Sequence, residues 1–343
     1  MPIMPATAIM TPGAWTRKDL VPDSWIYTLT DDEQGELRAA LEQVQARGFD
    51  LPSLSPRVFP LPTVGPKLRR LTRQMAEERG FVLLRGFPIS DMILEDIERM
   101  YFGCMTYVGI PIAQDPRNSL IGHVRDISSA DAATGRGYQT SRQLGYHSDS
   151  ADIVGLLCVQ PAKSGGLSKI LSAAAVHNIV LAERPDLLRV LYDEPYYPSW
   201  SGQEPEGQPP YYWVRFFSWY GDRLQASSIK ERYVDSPPMS PKQREALAFI
   251  KDVLAEREDE LSLHMDFMPG DVQLLDDAMI WHSRTAYIDD EDPAKRRHLL
   301  RIWLNYYIER PVSPDFWNRY EMVAQATVSP KRRLFDVPVY DTW

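Results

Sequence analysis

The feature that most constrains the fold is a series of short segments rich in β-branched and aromatic residues, separated by turns, between about residues 81 and 307. Short segments of this kind, bounded by glycine, proline and polar residues, are typical of antiparallel strands. The pattern favours a mainly β chain, built as a sandwich or barrel, over a doubly wound α/β sheet. The predicted strands span residues 81–86, 120–124, 144–148, 152–159, 168–172, 211–219, 261–268, 272–275, 279–281 and 299–307.

Helices are predicted mainly before these strands and on their flanks. In residues 31–47, apolar residues recur at helical spacing behind an acidic first turn. Ser240 and Gln243 form a capping-box pattern with Pro241 at the first helical position, which predicts a helix to about residue 255. No glycine-rich dinucleotide-binding fingerprint follows a predicted strand. Further helices are predicted over residues 66–79, 91–106 and 174–182.

Composition narrows the class of protein. The chain has 343 residues, and its formal net charge of −9 disfavours a general nucleic-acid binder, which would need a basic surface. The two cysteines, Cys104 and Cys158, lie in apolar surroundings and are expected to be buried thiols. No apolar run is long enough to span a membrane, and the N-terminus lacks a secretory signal pattern. We therefore expect a cytoplasmic enzyme with a small-molecule substrate and without nucleic-acid or membrane partners.

The first candidate for chemistry is the triplet His147-Ser148-Asp149. Residues two apart on an extended segment point to the same side, so His147 and Asp149 could face one metal ion. A His-x-acid triplet is common by chance in a chain with 6 histidines and 47 acidic residues. This triplet, however, lies between a polar loop at 134–140 and an apolar strand at 152–159, where the mouth of a pocket is expected.

The second candidate is His282, which follows a strand–turn–strand pattern in residues 272–281. Two histidines and one carboxylate occupy one face of an octahedral metal and leave three positions open, as in non-haem Fe(II) oxygenases. A closed structural zinc site would need a fourth protein ligand. Two alternatives remain open at this point: a zinc-dependent hydrolase that uses the same three residues, and a non-catalytic, cupin-like binding protein.

The third candidate is a pair of arginines on the last predicted strand. Arg297 and Arg301 share one face of that strand with Leu299, and the following residues 302–304 read as buried. A guanidinium that binds a carboxylate through two hydrogen bonds suits a dicarboxylate co-substrate held beside a metal.

These residues resemble, in order and spacing, the taurine dioxygenase-like (TauD/TfdA) family of Fe(II)/2-oxoglutarate-dependent oxygenases, which includes clavaminate synthase-like proteins. The resemblance covers about residues 80–307. It rests on the His-x-Asp triplet, on Gly165-Gly166-Leu167-Ser168, on the stretch from Asp276 to His282, and on the pair Arg297 and Arg301. The fold that it implies is the double-stranded β-helix, a jelly roll with flanking helices.

The resemblance also implies roles for individual residues and for cofactors. The co-substrates would be 2-oxoglutarate and O₂, and the metal Fe(II). The iron ligands would be His147, Asp149 and His282. The residues that would bind 2-oxoglutarate are Ser168, Arg297 and Arg301, and those near the substrate are Tyr138, Gln143 and Arg301. Asp277 stands where the family commonly has asparagine.

The expected reaction is oxidation of an unactivated C–H bond in a small carboxylate- or amino-acid-like molecule, with release of succinate and CO₂. Hydroxylation, desaturation and oxidative cyclisation all begin from the same hydrogen abstraction. Residues 61–343 would form the single catalytic domain, and residues 1–60 an N-terminal extension packed on it. The aromatic residues of 211–219 could line a substrate pocket, although packing in the core is the simpler interpretation.

Overall fold

The computed structural model describes residues 3–115, 118–127, 137–149, 151–198, 207, 209–229, 236–307 and 313–314. The strands that it contains are β1 (Ile26–Thr28), β2 (Phe81–Arg85), β3 (Ile110–Ile112), β4 (Ile121–Val124), β5 (Leu144–His147), β6 (Ile153–Gln160), β7 (Ser164–Gly165), β8 (Ser168–Ser172), β9 (Pro195–Tyr196), β10 (Val214–Arg215), β11 (Phe217–Tyr220), β12 (Arg223–Ala226), β13 (Leu263–Met265), β14 (Val272–Asp276), β15 (Ile280–Arg284), β16 (Tyr287–Ile288) and β17 (His298–Asn305). The helices are α1 (Asp31–Arg47), α2 (Val64–Glu77), α3 (Leu94–Met105), α4 (Ala173–Glu183), α5 (Pro185–Asp193), α6 (Pro241–Glu256) and α7 (Glu258–Leu261).

Two sheets form the core of the molecule. The larger sheet has the order β1-β2-β14-β6-β17-β3, and β4 also pairs with β17. The smaller sheet has the order β13-β8-β15-β5. Apart from the parallel pair of β1 and β2, the pairings in both sheets are antiparallel. This is the jelly-roll architecture that the strand pattern and the family resemblance predicted.

The inner faces of the two sheets enclose an interior that has an apolar part and a polar part. Ile170 of β8, Cys158 of β6 and Leu299 of β17 belong to one buried cluster. Next to it, Ser168 of the smaller sheet donates a 3.2 Å hydrogen bond to the side-chain oxygen of Gln273 in the larger sheet. The side chains of the candidate site lie in the polar part of this interior.

The helices cover the outer face of the larger sheet and the flank of the smaller one. Helix α1 begins at a capping box, in which Thr30 and Glu33 satisfy each other's backbone N–H groups, and ends at Gly48 in the left-handed region. Its predicted apolar face, which includes Leu37, packs in one core cluster with Leu300 of β17. Among the described residues, no helix combines the length and the apolar character that a membrane span requires.

Two local expectations need correction. Helix α5 was not predicted, because Pro185 reads as the end of α4; here it takes the first position of a new helix, where proline is tolerated. The predicted strand at 211–219 is divided into β10 and β11. Within it, Phe216 and Phe217 are fully buried against Trp281, so the core-packing interpretation is confirmed for these two rings.

Both cysteines are buried free thiols, as predicted. Burial raises the pKa of the Cys158 thiol to about 12. The thiol is therefore protonated at neutral pH and has no nucleophilic role. The division of the chain at residue 60 stays a prediction, although β1 joins the larger sheet from the N-terminal side of that boundary.

A buried histidine makes the fold sensitive to acid. Burial lowers the pKa of His177 to about 4, and its ring accepts or donates a 2.9 Å hydrogen bond with the Tyr192 hydroxyl. In the unfolded chain the pKa is about 6.5, so between pH 7.5 and 5.0 only the unfolded chain takes up this proton. We expect His177 alone to lower the free energy of unfolding by about 2 kcal/mol over that interval.

Urea unfolding at pH 7.5 and 5.0 measures this effect. His177→Gln should show a pH dependence smaller by about 2 kcal/mol than that of wild type. His264→Gln, at an exposed position of β13, is the control and should keep most of the wild-type dependence. An unchanged pH dependence in His177→Gln would show that this histidine does not carry the effect.

Candidate metal centre

Strand pairing brings the two candidate histidines together. In the smaller sheet, β5 and β15 are antiparallel neighbours, and His147 and His282 are direct partners in the register. Their ring centroids are 4.2 Å apart, with an angle of 52° between the planes. Residues 135 positions apart in the chain therefore lie side by side on the inner face of one sheet.

Asp149 completes the cluster from the segment just after β5. One of its carboxylate oxygens, Oδ1, lies 3.8 Å from Nε2 of His147. Each of the three residues offers a ligand atom, and these atoms all lie within 4.8 Å of one another. In the described ranges this is the only group of three such side chains close enough to hold one metal ion. The donor set, two imidazole nitrogens and one carboxylate oxygen, fits the facial arrangement expected for Fe(II).

A backbone carbonyl orients the imidazole of His147, and a buried carboxylate lies near that of His282. Nδ1 of His147 donates a 2.9 Å hydrogen bond to the carbonyl oxygen of Gly145, which places the lone pair on Nε2. Nδ1 of His282 lies 3.6 Å from Oδ1 of Asp277, whose side chain is fully buried. Burial, with the nearby His147, lowers the pKa of His282 to about 3. The ring is therefore neutral, as a metal ligand must be.

The Asp149 carboxylate is held through its second oxygen. Oδ2 accepts hydrogen bonds from Nη1 of Arg301 at 3.1 Å and from the indole N–H of Trp303 at 2.9 Å. Nε of Arg301 in turn donates to the side-chain oxygen of Gln114 at 2.8 Å. Burial by itself would raise the pKa of Asp149, but Arg301, the two histidines and Trp303 lower it overall. The carboxylate is ionised, and its Oδ1 faces the histidines.

Arg297 lies on the same inner face, one step before β17. Its side chain is 4% exposed, and its backbone N–H donates to Asp289 at 2.7 Å. Gly166 makes room for it, and Gly165 makes room for the backbone of Ala286. A Cβ on Gly166, which has φ of 73°, would lie 3.1 Å from Nε of Arg297, and one on Gly165 would lie 2.3 Å from the carbonyl oxygen of Ala286. Glycine is thus required here by close approach as well as by the backbone angle.

The remaining predicted site residues lie around this interior. Ser168 is buried on β8 and is the register partner of Arg284 on β15. The Tyr138 ring lies over the Arg301 guanidinium, with 4.9 Å between the guanidinium carbon and the ring centroid. Gln143 is exposed just before β5 and makes no side-chain hydrogen bond to the described residues.

Sequence reasoning missed three residues of this site: Gln114, Trp303 and Arg284. The alternation of side chains between the two faces of a strand could have identified two of them. Trp303 continues the inward face that carries Arg297 and Arg301, and Arg284 lies two residues after His282 on β15. Gln114 carries no signal in the sequence, because its contact with Arg301 joins residues 187 positions apart.

Comparison with known proteins decides the family. Residues 37–303, more than three quarters of the chain, match the family described as taurine catabolism dioxygenase TauD, TfdA family. The chain belongs to this family. It is therefore a non-haem dioxygenase that depends on Fe(II) and 2-oxoglutarate, and neither the zinc hydrolase nor the non-catalytic binding protein is supported. The predicted family, enzyme class and cofactors are confirmed.

Two curated relatives match nearly the whole chain. FR-33289 synthase of Streptomyces rubellomurinus is 30% identical over 304 residues, which cover 85% of this chain and 89% of the relative. The taurine hydroxylase-like protein SAT17 of Stachybotrys chartarum is 29% identical over 313 residues, which cover 84% of this chain and 77% of the relative.

Solved structures show the same fold at low sequence identity. Asparagine oxygenase in complex with Fe(II), 3-hydroxyasparagine and succinate aligns with a TM-score of 0.65 and 15% identity, over 82% of this chain and 93% of that one. The non-haem iron oxygenase OrfP in complex with Fe and α-ketoglutaric acid aligns with a TM-score of 0.61 and 16% identity, over 82% and 94%. The double-stranded β-helix is thereby confirmed.

Proposed function

We propose that this dioxygenase hydroxylates an unactivated C–H bond of a small, amino-acid-like molecule, and couples this to the decarboxylation of 2-oxoglutarate to succinate. The observation that carries the proposal is the grouping of His147, Asp149 and His282, whose ligand atoms all lie within 4.8 Å of one another, with the buried Arg297 on the same inner face. A metal-dependent hydrolase would have no use for that buried arginine.

In this proposal, His147, Asp149 and His282 hold the metal through three ligand atoms. Iron(II), together with the keto acid and O₂, supplies the oxidant for the C–H bond. The protein supplies the neutral imidazole of His282 and the ionised carboxylate of Asp149. Because Arg301 and Trp303 both bind Oδ2 of Asp149, they leave Oδ1 for the metal and keep the carboxylate a ligand through one oxygen.

The co-substrate is proposed to lie between the two sheets. Its distal carboxylate would accept hydrogen bonds from Arg297 and from the Ser168 hydroxyl, which in the described chain bonds to Gln273. Arg297 suits this role because its guanidinium is buried and has no carboxylate partner within 4.0 Å among the described residues. Whether Arg301 also contacts the co-substrate or the substrate stays a prediction, since two of its nitrogens bind Asp149 and Gln114.

The substrate is proposed to approach from the side of Tyr138 and Gln143. Tyr138 covers Arg301, and Gln143 is exposed at the start of β5, so both lie at the rim of the metal centre. The amino-acid character of the substrate is supported by the asparagine oxygenase structure, which contains 3-hydroxyasparagine, and by another solved structure of OrfP, which contains (3R,4R)-dihydroxy-L-Arg. Hydroxylation is favoured over desaturation and cyclisation for the same reason.

An anaerobic titration tests the co-substrate part of the proposal. Adding 2-oxoglutarate to the Fe(II)-loaded protein should produce a weak metal-to-ligand charge-transfer band in the visible spectrum, which saturates at one equivalent of bound keto acid. The zinc-loaded protein is the control and should show no band, because Zn²⁺ has a filled d shell and no redox activity. Bound iron without a band would contradict the proposal.

A panel of candidate substrates tests the proposed substrate class and the proposed hydroxylation. L-amino acids and small carboxylates are incubated aerobically with the Fe(II)-loaded protein and 2-oxoglutarate, and succinate release is compared with the rate without substrate. We expect stimulation by at least one amino-acid-like compound, with a product heavier by one oxygen atom. Stimulation only by compounds that lack a carboxylate and an amino group would contradict the proposed substrate class.

A further inference from the structure

Two buried arginines share one tyrosine ring beside the metal centre. The guanidinium carbons of Arg284 and Arg297 lie 4.7 Å and 5.1 Å from the centroid of the Tyr287 ring. Their side chains are 5% and 4% exposed. In the described parts of the chain, no carboxylate lies within 4.0 Å of either guanidinium. Two neighbouring cations are therefore buried without a direct counter-ion.

The donors of Arg284 divide into two groups. Nη2 donates to the carbonyl oxygen of Thr140 at 2.8 Å and also to that of Arg142. Nε and Nη1 are buried and have no hydrogen-bond partner among the described residues, as is also true of Nη1 of Arg297. Unsatisfied buried donors of a charged group cost free energy, and such donors commonly mark the place of a ligand.

Electrostatics point to an anion. The Arg284 guanidinium is a cation at neutral pH, and it lies beside the guanidinium of Arg297 over one ring. The carboxylates of Asp126 and Asp289 act on it from beyond ion-pair distance. An anion placed between the two guanidinium groups would relieve their repulsion and satisfy the free donors.

The position of Arg284 identifies that anion. On β15 it follows His282 by two residues and faces the same interior, and in the register it is paired with Ser168. We propose that Arg284 is a second ligand of the distal carboxylate of 2-oxoglutarate, and that through it the bound co-substrate fixes the loop of residues 137–143 on the substrate side. This inference rests on the proposed function, because it concerns how the protein binds the 2-oxoglutarate that this function requires.

The loop of residues 137–143 is also attached elsewhere, for example by the 3.2 Å hydrogen bond that the backbone N–H of Ile127 donates to the carbonyl oxygen of Gln139. The backbone N–H of Tyr287 donates to the carbonyl oxygen of Ser141 at 3.0 Å, and that of Ser141 donates to Asp126 at 3.0 Å. Arg284 adds the bonds to Thr140 and Arg142. One guanidinium therefore joins the co-substrate cavity to the loop that carries Tyr138 and Gln143.

The dissociation constant for 2-oxoglutarate is the first measurement. In anaerobic titrations of the charge-transfer band, Arg284→Gln should raise it between about tenfold and about a hundredfold, as expected for the loss of a charge-assisted hydrogen bond. The dissociation constant for 2-oxopentanoate, which has the same chain length but no distal carboxylate, should not change. Arg296→Gln, at the exposed neighbour of Arg297, is the matched control and should bind both keto acids as wild type does.

Limited proteolysis provides a readout that does not depend on turnover. Arg142 is exposed in the loop, so trypsin can cleave after it when the loop opens. Under anaerobic conditions, 2-oxoglutarate should slow this cleavage in wild type but not in Arg284→Gln, whereas 2-oxopentanoate should slow it in neither. Arg142→Gln removes the fragment and so identifies the cleavage site.

The outcomes separate the inference from the proposed function. If wild type shows no charge-transfer band, the proposed function fails. If wild type shows the band and Arg284→Gln binds 2-oxoglutarate with unchanged affinity, the inference is overturned. Should the glutamine variant not fold, as judged by circular dichroism, Arg284→Lys replaces it. Lysine keeps the charge but cannot bond the loop carbonyls and the carboxylate together, so selective weakening of 2-oxoglutarate binding is still expected.

Discussion

Replacing Asp149 by alanine is expected to reduce iron-dependent succinate release to the level of the protein-free reaction. The change removes one of the three proposed metal ligands and leaves the Arg301 guanidinium without its carboxylate partner. The affinity for Fe(II) should therefore fall by more than the ~10–100-fold that loss of an outer hydrogen-bond partner costs. Anaerobic competition with a chromogenic chelator measures the affinity, and chromatography measures succinate.

Two further variants provide a control and an intermediate effect with which the Asp149→Ala result can be compared. Asp266→Ala removes an exposed carboxylate and should behave as wild type. Trp303→Phe keeps an aromatic side chain but removes the N–H that holds Oδ2 of Asp149, and should weaken Fe(II) binding by about 10–100-fold. Coupled succinate formation that persists in Asp149→Ala would refute the assignment of this residue as a ligand.

Replacing Arg297 by alanine is expected to raise the dissociation constant for 2-oxoglutarate by at least about 30-fold. Truncation of one partner of a buried, hydrogen-bonded charge pair costs about 2–5 kcal/mol, and the lower limit corresponds to that factor. Arg297 is 4% exposed, so water cannot replace it at the carboxylate. The charge-transfer titration measures the change, and the affinity for Fe(II) itself should stay as in wild type.

Arg296→Ala is the control for this experiment. Arg296 is adjacent in the chain but exposed, and among the described residues its side chain bonds only to the backbone oxygen of Asp290, at 3.3 Å. It should bind 2-oxoglutarate normally. An Arg297→Ala protein that is folded, binds Fe(II) and shows the wild-type dissociation constant for 2-oxoglutarate would remove Arg297 from the proposed co-substrate site.

Local patterns predicted most elements of the fold. Residues 31–47 and 168–172 were predicted with the bounds that the structure has. The acidic first turn and the helical spacing of apolar residues that marked the helix act within one element. Helix α5 was missed because whether a proline ends one helix or begins the next depends on the packing of the following residues. The pairing of β5 with β15 had no local signal at all.

In the candidate site too, the sequence could identify some residues but not others. His147, Asp149, His282, Ser168 and Arg297 could be singled out from their order and spacing along the chain. Their partners could not. The hydrogen bonds of Trp303 and Arg301 to Asp149 join residues more than 150 positions apart, and the bonds of Arg284 to the loop of residues 137–143 exist only because β15 passes behind it.

By itself, the sequence determined the residue types that the chemistry needs and the strand period that turns them to one side. It also determined Gly166, which makes room for Arg297. The tertiary structure decided which oxygen of Asp149 faces the histidines, because Arg301 and Trp303 reach that carboxylate from another sheet. It also decided that Arg284 and Arg297 lie over one ring. The physical reason is that hydrogen bonds and charges act over a few ångströms in space, whereas sequence patterns report only on neighbours along one strand or helix.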